Sequence, residues 1–214
     1  MAITALQAIA IKAFRDRLAS LGVNPLEVIE TASLRRGAAA SAHSPPTSHE
    51  ILETAVAMSG DTTLAIKIGS GLDLTQYGAY GFALMTCSDI GAALKLFLRY
   101  GQTFIQSSNW HRSVSKDGVV LCLQQNAGTG YQKMLVTELA FSQLYLQTKS
   151  LVAKPTEGVT VHFSYPKPTH FGVYEQNWPV LMEFNQEHTQ IFLPDQWLRQ
   201  RVRTGDPSTN VLFN

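Results

Sequence analysis

An α+β fold is the architecture this sequence predicts: several N-terminal helices, a β-hairpin, a long helix and a small, mostly antiparallel sheet. Two changes of rhythm carry that reading. Through the first part of the chain apolar side chains recur every three to four positions, as one face of a helix requires. Near Trp110 the repeat drops to two, the period of a strand with one buried face. One more long helical stretch precedes the short β segments that close the chain, so helices and strands are segregated rather than strictly alternating.

Each element has a local reason. Leu6, Ile9, Ala10, Ala13, Phe14 and Leu18 form the apolar stripe of a first helix from Ile3 to Leu21, with Gly22 as its left-handed stop. Asn24 and Pro25 are the N-cap and first residue of a short helix through Ile29. Arg35 to Pro46, rich in Ala, Ser and Pro, is predicted as a loop. Ser48-His49-Glu50 opens a helix ending near Gly60; Ile51 stands three residues after Ser48, so no full capping box is expected. Asp61 to Leu72 predicts another short helix, closed by Gly69-Ser70-Gly71. Tyr77 to Thr86 is apolar and glycine-spaced. Ser88 with Asp89 caps a long helix running through Leu94, Phe97, Leu98, Phe104 and Ile105. Trp110 to Val114, a Lys116-Asp117-Gly118 turn, and Val119 to Gln124 then make the clearest hairpin. A helix from Tyr131 to Val152, a strand from Val159 to Tyr165, a proline-flanked segment from Thr169 to Trp178, and short strands at Leu181 to Phe184 and Gln190 to Leu193 complete the order. From Arg199 the chain is polar and reads as linker.

Composition narrows the function. The 214 residues are 45% hydrophobic and 15% charged, with a formal charge of +1. A single domain of this length buries roughly 70% of its unfolded surface without disulfides or metal. The near-neutral charge offers no clustered cations for nucleic acid or an anionic membrane surface. Cys87 and Cys122 fit reduced thiols in a cytosolic protein. The N-terminus lacks the basic start of a secretion signal, and no run reaches the roughly 20 apolar residues of a membrane span. The expectation is a cytoplasmic protein without cofactor or metal.

Catalytic signatures are missing. Gly69-Ser70-Gly71 is not a nucleophile elbow, no phosphate-binding glycine loop occurs, and the histidines never recur four apart on a helix. Thr137-Glu138-Leu139-Ala140-Phe141 faintly echoes a helix-turn-helix, but nothing breaks the helix between Gln132 and Ala153, so one core helix is expected.

The ordered set Ser59-Gly60-Asp61, Leu64-Ala65-Ile66-Lys67-Ile68-Gly69, Tyr77 through Ser88, Ala92-Ala93-Leu94, Leu98-Arg99-Tyr100, the Asp117-Gly118 turn, Val161 through Pro166, Phe184-Asn185 and Ile191-Phe192-Leu193-Pro194 resembles the N-terminal effector domain of AraC/XylS-type transcription regulators, of the arabinose-binding type. The resemblance covers most of the chain. It implies an effector-binding and dimerising domain over residues 1–198, an interdomain linker starting at 199–214, and control of transcription by a DNA-binding half that this chain lacks. The implied partners are a small organic effector, a second copy of the chain, and DNA only through that absent half. A freestanding small-molecule, lipid or haem sensor is the alternative, and a small hydrolase a third.

Candidate ligand residues are Tyr80, Trp110, Arg112, Glu138, Phe141 and Tyr145. Met134, Phe141, Tyr145 and Val152 form the inner stripe of the long helix, with Glu138 at or near its edge. A carboxylate there needs a partner; Arg99 and Arg112 are the expected mates, and a structural ion pair is the competing role. Trp110, His111 and Arg112 offer an aromatic surface, a titratable ring and a fork for carboxylates, although strand alternation exposes at least one of them. Tyr80 and Phe82 are also explained by core packing, and His162 by a core or edge position in a strand.

Overall fold

The computed structural model describes residues 5–36, 45–101, 108–206 and 208. Helix α1 spans Ala5–Ser20, and its expected start at Ile3 lies outside the described residues. Its end is built by Gly22 at φ +80°: the Gly22 N–H donates to Ala19 O and the Val23 N–H to Leu18 O, which satisfies two of the carbonyls a helix end leaves open. Asn24 accepts from the Leu26 N–H and Pro25 opens α2, Pro25–Arg35. This helix outlasts the expected Ile29 by more than a turn, because Val28 and Ala32 bury on one side four residues apart. Most of the expected loop that follows, residues 37–44, lies outside the described residues.

Helix α3, Ser48–Ser59, corrects the expected cap by one residue. Thr47 is the N-cap, and its hydroxyl and the Glu50 carboxylate exchange backbone hydrogen bonds in a full capping box. Helix α4, Leu64–Gly69, is buried at five of its six positions. A 3-10 turn at Leu74–Tyr77 leads into α5, Gly78–Met85, and Asp89 caps α6, Ile90–Tyr100. Phe104 and Ile105 fall outside the described residues.

Strands β1, Ser108–Ser115, and β2, Gly118–Gln125, pair in the expected hairpin, with Ser115 opposite Gly118. The long helix α7, Gly130–Leu151, runs unbroken through the faint helix-turn-helix echo and starts on a Thr129/Gln132 capping box. Strand β3 is only Thr160–His162, shorter than expected. The proline-flanked segment contains helix α8, Phe171–Asn177, and β4, Leu181–Glu183, and β5, Gln190–Pro194, follow before the short α9, Asp195–Leu198.

The sheet order is β1-β2-β5-β3-β4, antiparallel throughout except for β3 beside β4. That parallel pair is the one joined through a helix, α8, as a crossover connection requires. Helix α7 lies between two layers: Phe141 meets Trp110 and Phe163 on the sheet side at 5.6 and 5.3 Å between ring centroids, while Leu135, Val136 and Leu139 are buried in the same core as α3 and α4. A helix covered on both sides buries residues around much of its circumference, here Thr137, Glu138, Ser142, Gln147 and Thr148 beside the apolar ones, which is why its stripe is hard to read in the sequence. From Gln200 to Asp206 the backbone stays against the body. The Ile90 N–H donates to Gln200 O, the Arg203 N–H to Leu151 O and the Asp206 N–H to Thr86 O, with Val202 buried.

Candidate functional site

Four residues join β2 to α7, so the first turns of the helix overhang the end of the sheet, where the Leu123 N–H donates to Thr189 O. Between them opens a cleft of about 490 Å³, lined by His111, Cys122, Gln124, Lys133, Tyr165 and His188 together with Gln125, Thr137, Ser164 and Thr189. That size is usual for a small-molecule pocket.

The floor of the cleft is fixed by a hydrogen-bond network whose hydrogens can be assigned. Gln125 Nε2 lies 3.0 Å from the carbonyl of Lys133 and 2.9 Å from Thr137 Oγ1. A carbonyl only accepts, so this end of the amide is its NH2 and Oε1 is the acceptor. Thr137 gives its own hydrogen to the same Lys133 carbonyl, at 2.8 Å. The remaining contact, His49 Nε2 to Gln125 Oε1 at 3.0 Å, then needs the hydrogen on the imidazole Nε2. The fully buried His49 of α3, β2 and the first two turns of α7 are thereby locked together. On the opposite wall Ser164 and Thr189 share a hydroxyl–hydroxyl contact of 2.9 Å, and the Ser164 N–H donates to Thr189 Oγ1.

Behind the cleft lies a second network. Glu138 is fully buried, and its Oε1 accepts from His170 Nε2 at 2.6 Å and from the Tyr174 hydroxyl at 2.7 Å. Because Tyr174 spends its hydrogen on Glu138, Tyr165 is the donor in the 3.1 Å contact between the two phenols. The relay therefore has a direction, from Tyr165 in the cleft wall to Tyr174 on α8 to Glu138 on α7. The hydrogen bond to Glu138 raises His170 above the ordinary imidazole value against the opposing effect of burial, and burial drives the Tyr165 and Tyr174 phenols far up, so both stay protonated. Glu138 Oε2 and the Ser142 hydroxyl one turn on have no hydrogen-bond partner among the described residues.

The six sequence candidates separate. Glu138 is in the buried relay, and its mates are His170 and Tyr174, not the expected arginines. Arg112 is exposed on β1, and Arg99 stands over the Tyr100 ring at 5.1 Å. Phe141 and Tyr145 line a smaller apolar cavity of about 70 Å³ with Trp178, between α7 and the inner face of the sheet. Trp110 is buried between Phe97 and Phe141. Tyr80 packs edge-on to Tyr77 in the helical layer, while Phe82, expected beside it in the core, is 53% exposed. His162 is neither core nor edge: it is half-buried at the end of β3, a strand paired on both sides, beside Glu183 of β4 and Gln190 of β5. None of the six candidates lines the large cleft; His111, weighed beside Trp110 and Arg112, does, as does Cys122, which was read only as a reduced thiol. Gln125, Lys133, Ser164 and Thr189 were missed because they come together from four separate segments without any spacing pattern.

Among the described residues no group of three or more His, Cys, Asp or Glu could hold a metal ion, and no helix is long and apolar enough to cross a membrane. Residues 22–202 match the family model described as the arabinose-binding domain of AraC transcription regulator, N-terminal. The chain is 23% identical over 161 residues to an ornithine utilization regulator of Pseudomonas aeruginosa, covering 75% of this chain and 48% of that protein. It thus spans about half the length of this curated relative. In fold it is similar to the crystal structure of the transcriptional regulator CdpR from Pseudomonas aeruginosa, with a TM-score of 0.59 at 18% identity over 85% of this chain and 60% of that one.

Proposed function

Because this chain belongs to the family of arabinose-binding domains of AraC transcription regulators, we propose that it is the ligand-sensing and dimerising unit of such a regulator, with the cleft at the start of α7 as its effector site. One observation carries the reading: every residue that walls the 490 Å³ cleft falls inside the matched span, and its floor is held by assigned hydrogen bonds. An effector seated there touches Tyr165, the first donor of the relay. Displacing that phenol removes the donor to the Tyr174 hydroxyl, the α8 group that holds the buried Glu138 of α7, and so alters how α8 is held on α7. The word arabinose in the family's description is not taken as the ligand.

The unit acts in the cytoplasm as a homodimer and does no chemistry on its effector. Contact with DNA is made by a part of the regulator outside these residues, since a formal charge of +1 spread over 214 residues supplies no phosphate-binding surface. A thermal-shift screen of sugars, amino acids, organic acids and fatty acids tests the reading, because selective binding to the native state raises the melting temperature. The expected result is at least one stabilising compound, with duplex DNA left unretarded by this chain at physiological salt. Retardation of duplex by the chain alone, or turnover of a screened compound, overturns it.

A further inference from the structure

Resting on the effector-cleft reading, we infer that the cleft accepts a small organic carboxylate, with Lys133 as its counter-ion. Lys133 is half-buried on the cleft wall, and its ammonium has no carboxylate within ion-pairing distance among the described residues. A cation withdrawn from water gains from a bound anion. The other ionisable groups of the lining are His111, His188, Glu187, the Cys122 thiol and the Tyr165 phenol, and burial raises the last two, which favours their neutral forms. Glu187 is 89% exposed at the rim and lies 3.6 Å from His188, so it does not reach across to neutralise the lysine.

The distribution of donors and acceptors favours the same ligand. The floor's acceptors are already engaged: Gln125 Oε1 by His49, the Lys133 carbonyl by Gln125 and Thr137, and Thr137 Oγ1 by Gln125. What remains to meet a guest includes one group that can only donate, the Lys133 ammonium, beside the His111 and His188 imidazoles and the Gln124 amide, each of which can also donate. The start of α7 at Gly130 adds the positive end of a 22-residue helix to the same wall. Leu123 and Tyr165 supply apolar surface for the body behind the carboxylate.

The test titrates the full 214-residue chain with glutarate and benzoate, their neutral amides glutaramide and benzamide, and inorganic phosphate, at matched ionic strength, and follows backbone amide resonances by NMR. The carboxylates are expected to shift Gln125, Lys133, Ser164 and Thr189 saturably. Lys133→Met should weaken that binding by about tenfold or more, as loss of a charge-assisted hydrogen bond implies, and Lys133→Arg should keep most of it. If the amides bind the same residues equally well, or Lys133→Met binds the acids unchanged, the carboxylate inference is overturned while the effector cleft stands. An equal response to phosphate overturns the preference for carboxylate. Cleft resonances that respond to none of these probes overturn the inference and remove the cleft's support as well.

Discussion

Replacing Glu138 with Leu removes the acceptor shared by His170 and Tyr174 while keeping a side chain of similar size. Two short hydrogen bonds to one carboxylate oxygen, at 2.6 and 2.7 Å, are worth about 1.5–3 kcal/mol each. Losing the buried carboxylate also removes its desolvation cost, so the net destabilisation should be about 3–5 kcal/mol, the range for breaking a buried pair by deleting one partner. With a urea slope of about 3 kcal/mol/M, the unfolding midpoint should fall by about 1–2 M. The double variant Glu138→Leu/His170→Leu should be less destabilised than the two single changes added together, by about 1–3 kcal/mol, because it leaves no orphaned imidazole. The pH dependence has a defined sign. His170 is raised in the folded state, so the stability its pairing contributes is fully present below its unfolded value and is lost as pH rises through the folded value. The gap between wild type and Glu138→Leu should therefore be wider near pH 5.5 than near pH 9. A midpoint change below about 0.2 M, strict additivity in the cycle, or a gap that does not narrow as pH rises refutes the relay.

Three further outcomes follow from the packing. Phe163→Ala removes a fully buried ring in contact with Phe141, Tyr165, Tyr174, Trp178 and Phe184, and should cost about 3–5 kcal/mol in urea titrations; a loss under about 1 kcal/mol contradicts that aromatic layer. Gly81→Ala places a methyl 1.8 Å from the Leu74 carbonyl oxygen, so the turn before α5 must move, and a loss of about 3 kcal/mol or more is expected by thermal melting; an unchanged melting temperature rules out that close approach. Thr47→Ala breaks the capping box of α3 and should cost about 1 kcal/mol, whereas Ser48→Ala should cost a few tenths at most; the reverse ranking would return the cap to Ser48.

Local chemistry was legible wherever it acts within a few residues. Asn24-Pro25, Gly22 and Asp89 marked helix ends correctly, and the drop to a two-residue period located the hairpin. The errors arose where one residue or one tertiary contact decides. Placing the cap at Ser48 instead of Thr47 hides a full capping box, and Gly78-Ala79-Tyr80-Gly81 looks too glycine-rich for a helix until the core on one side of it is known. Helix α8 escaped notice because it is only seven residues long and sits among prolines. The resemblance in the ordered motifs was enough to name the family, yet the carboxylate's true partners stand 32 and 36 positions away, beyond the reach of any spacing rule. The cleft was invisible for the same reason: its walls come from the start of α7, the hairpin and two turns that only the sheet order brings together.

Hydrogen–deuterium exchange on the 214-residue chain, with and without a compound that raises its melting temperature, bears most directly on the claim that this cleft is where the domain senses its effector. Protection should concentrate at residues 122–125, 130–137, 163–165 and 187–189, and extend to α8 through Tyr165 and Tyr174. Protection confined to α1, α2 and α3, with the start of α7 exchanging as before, would contradict it.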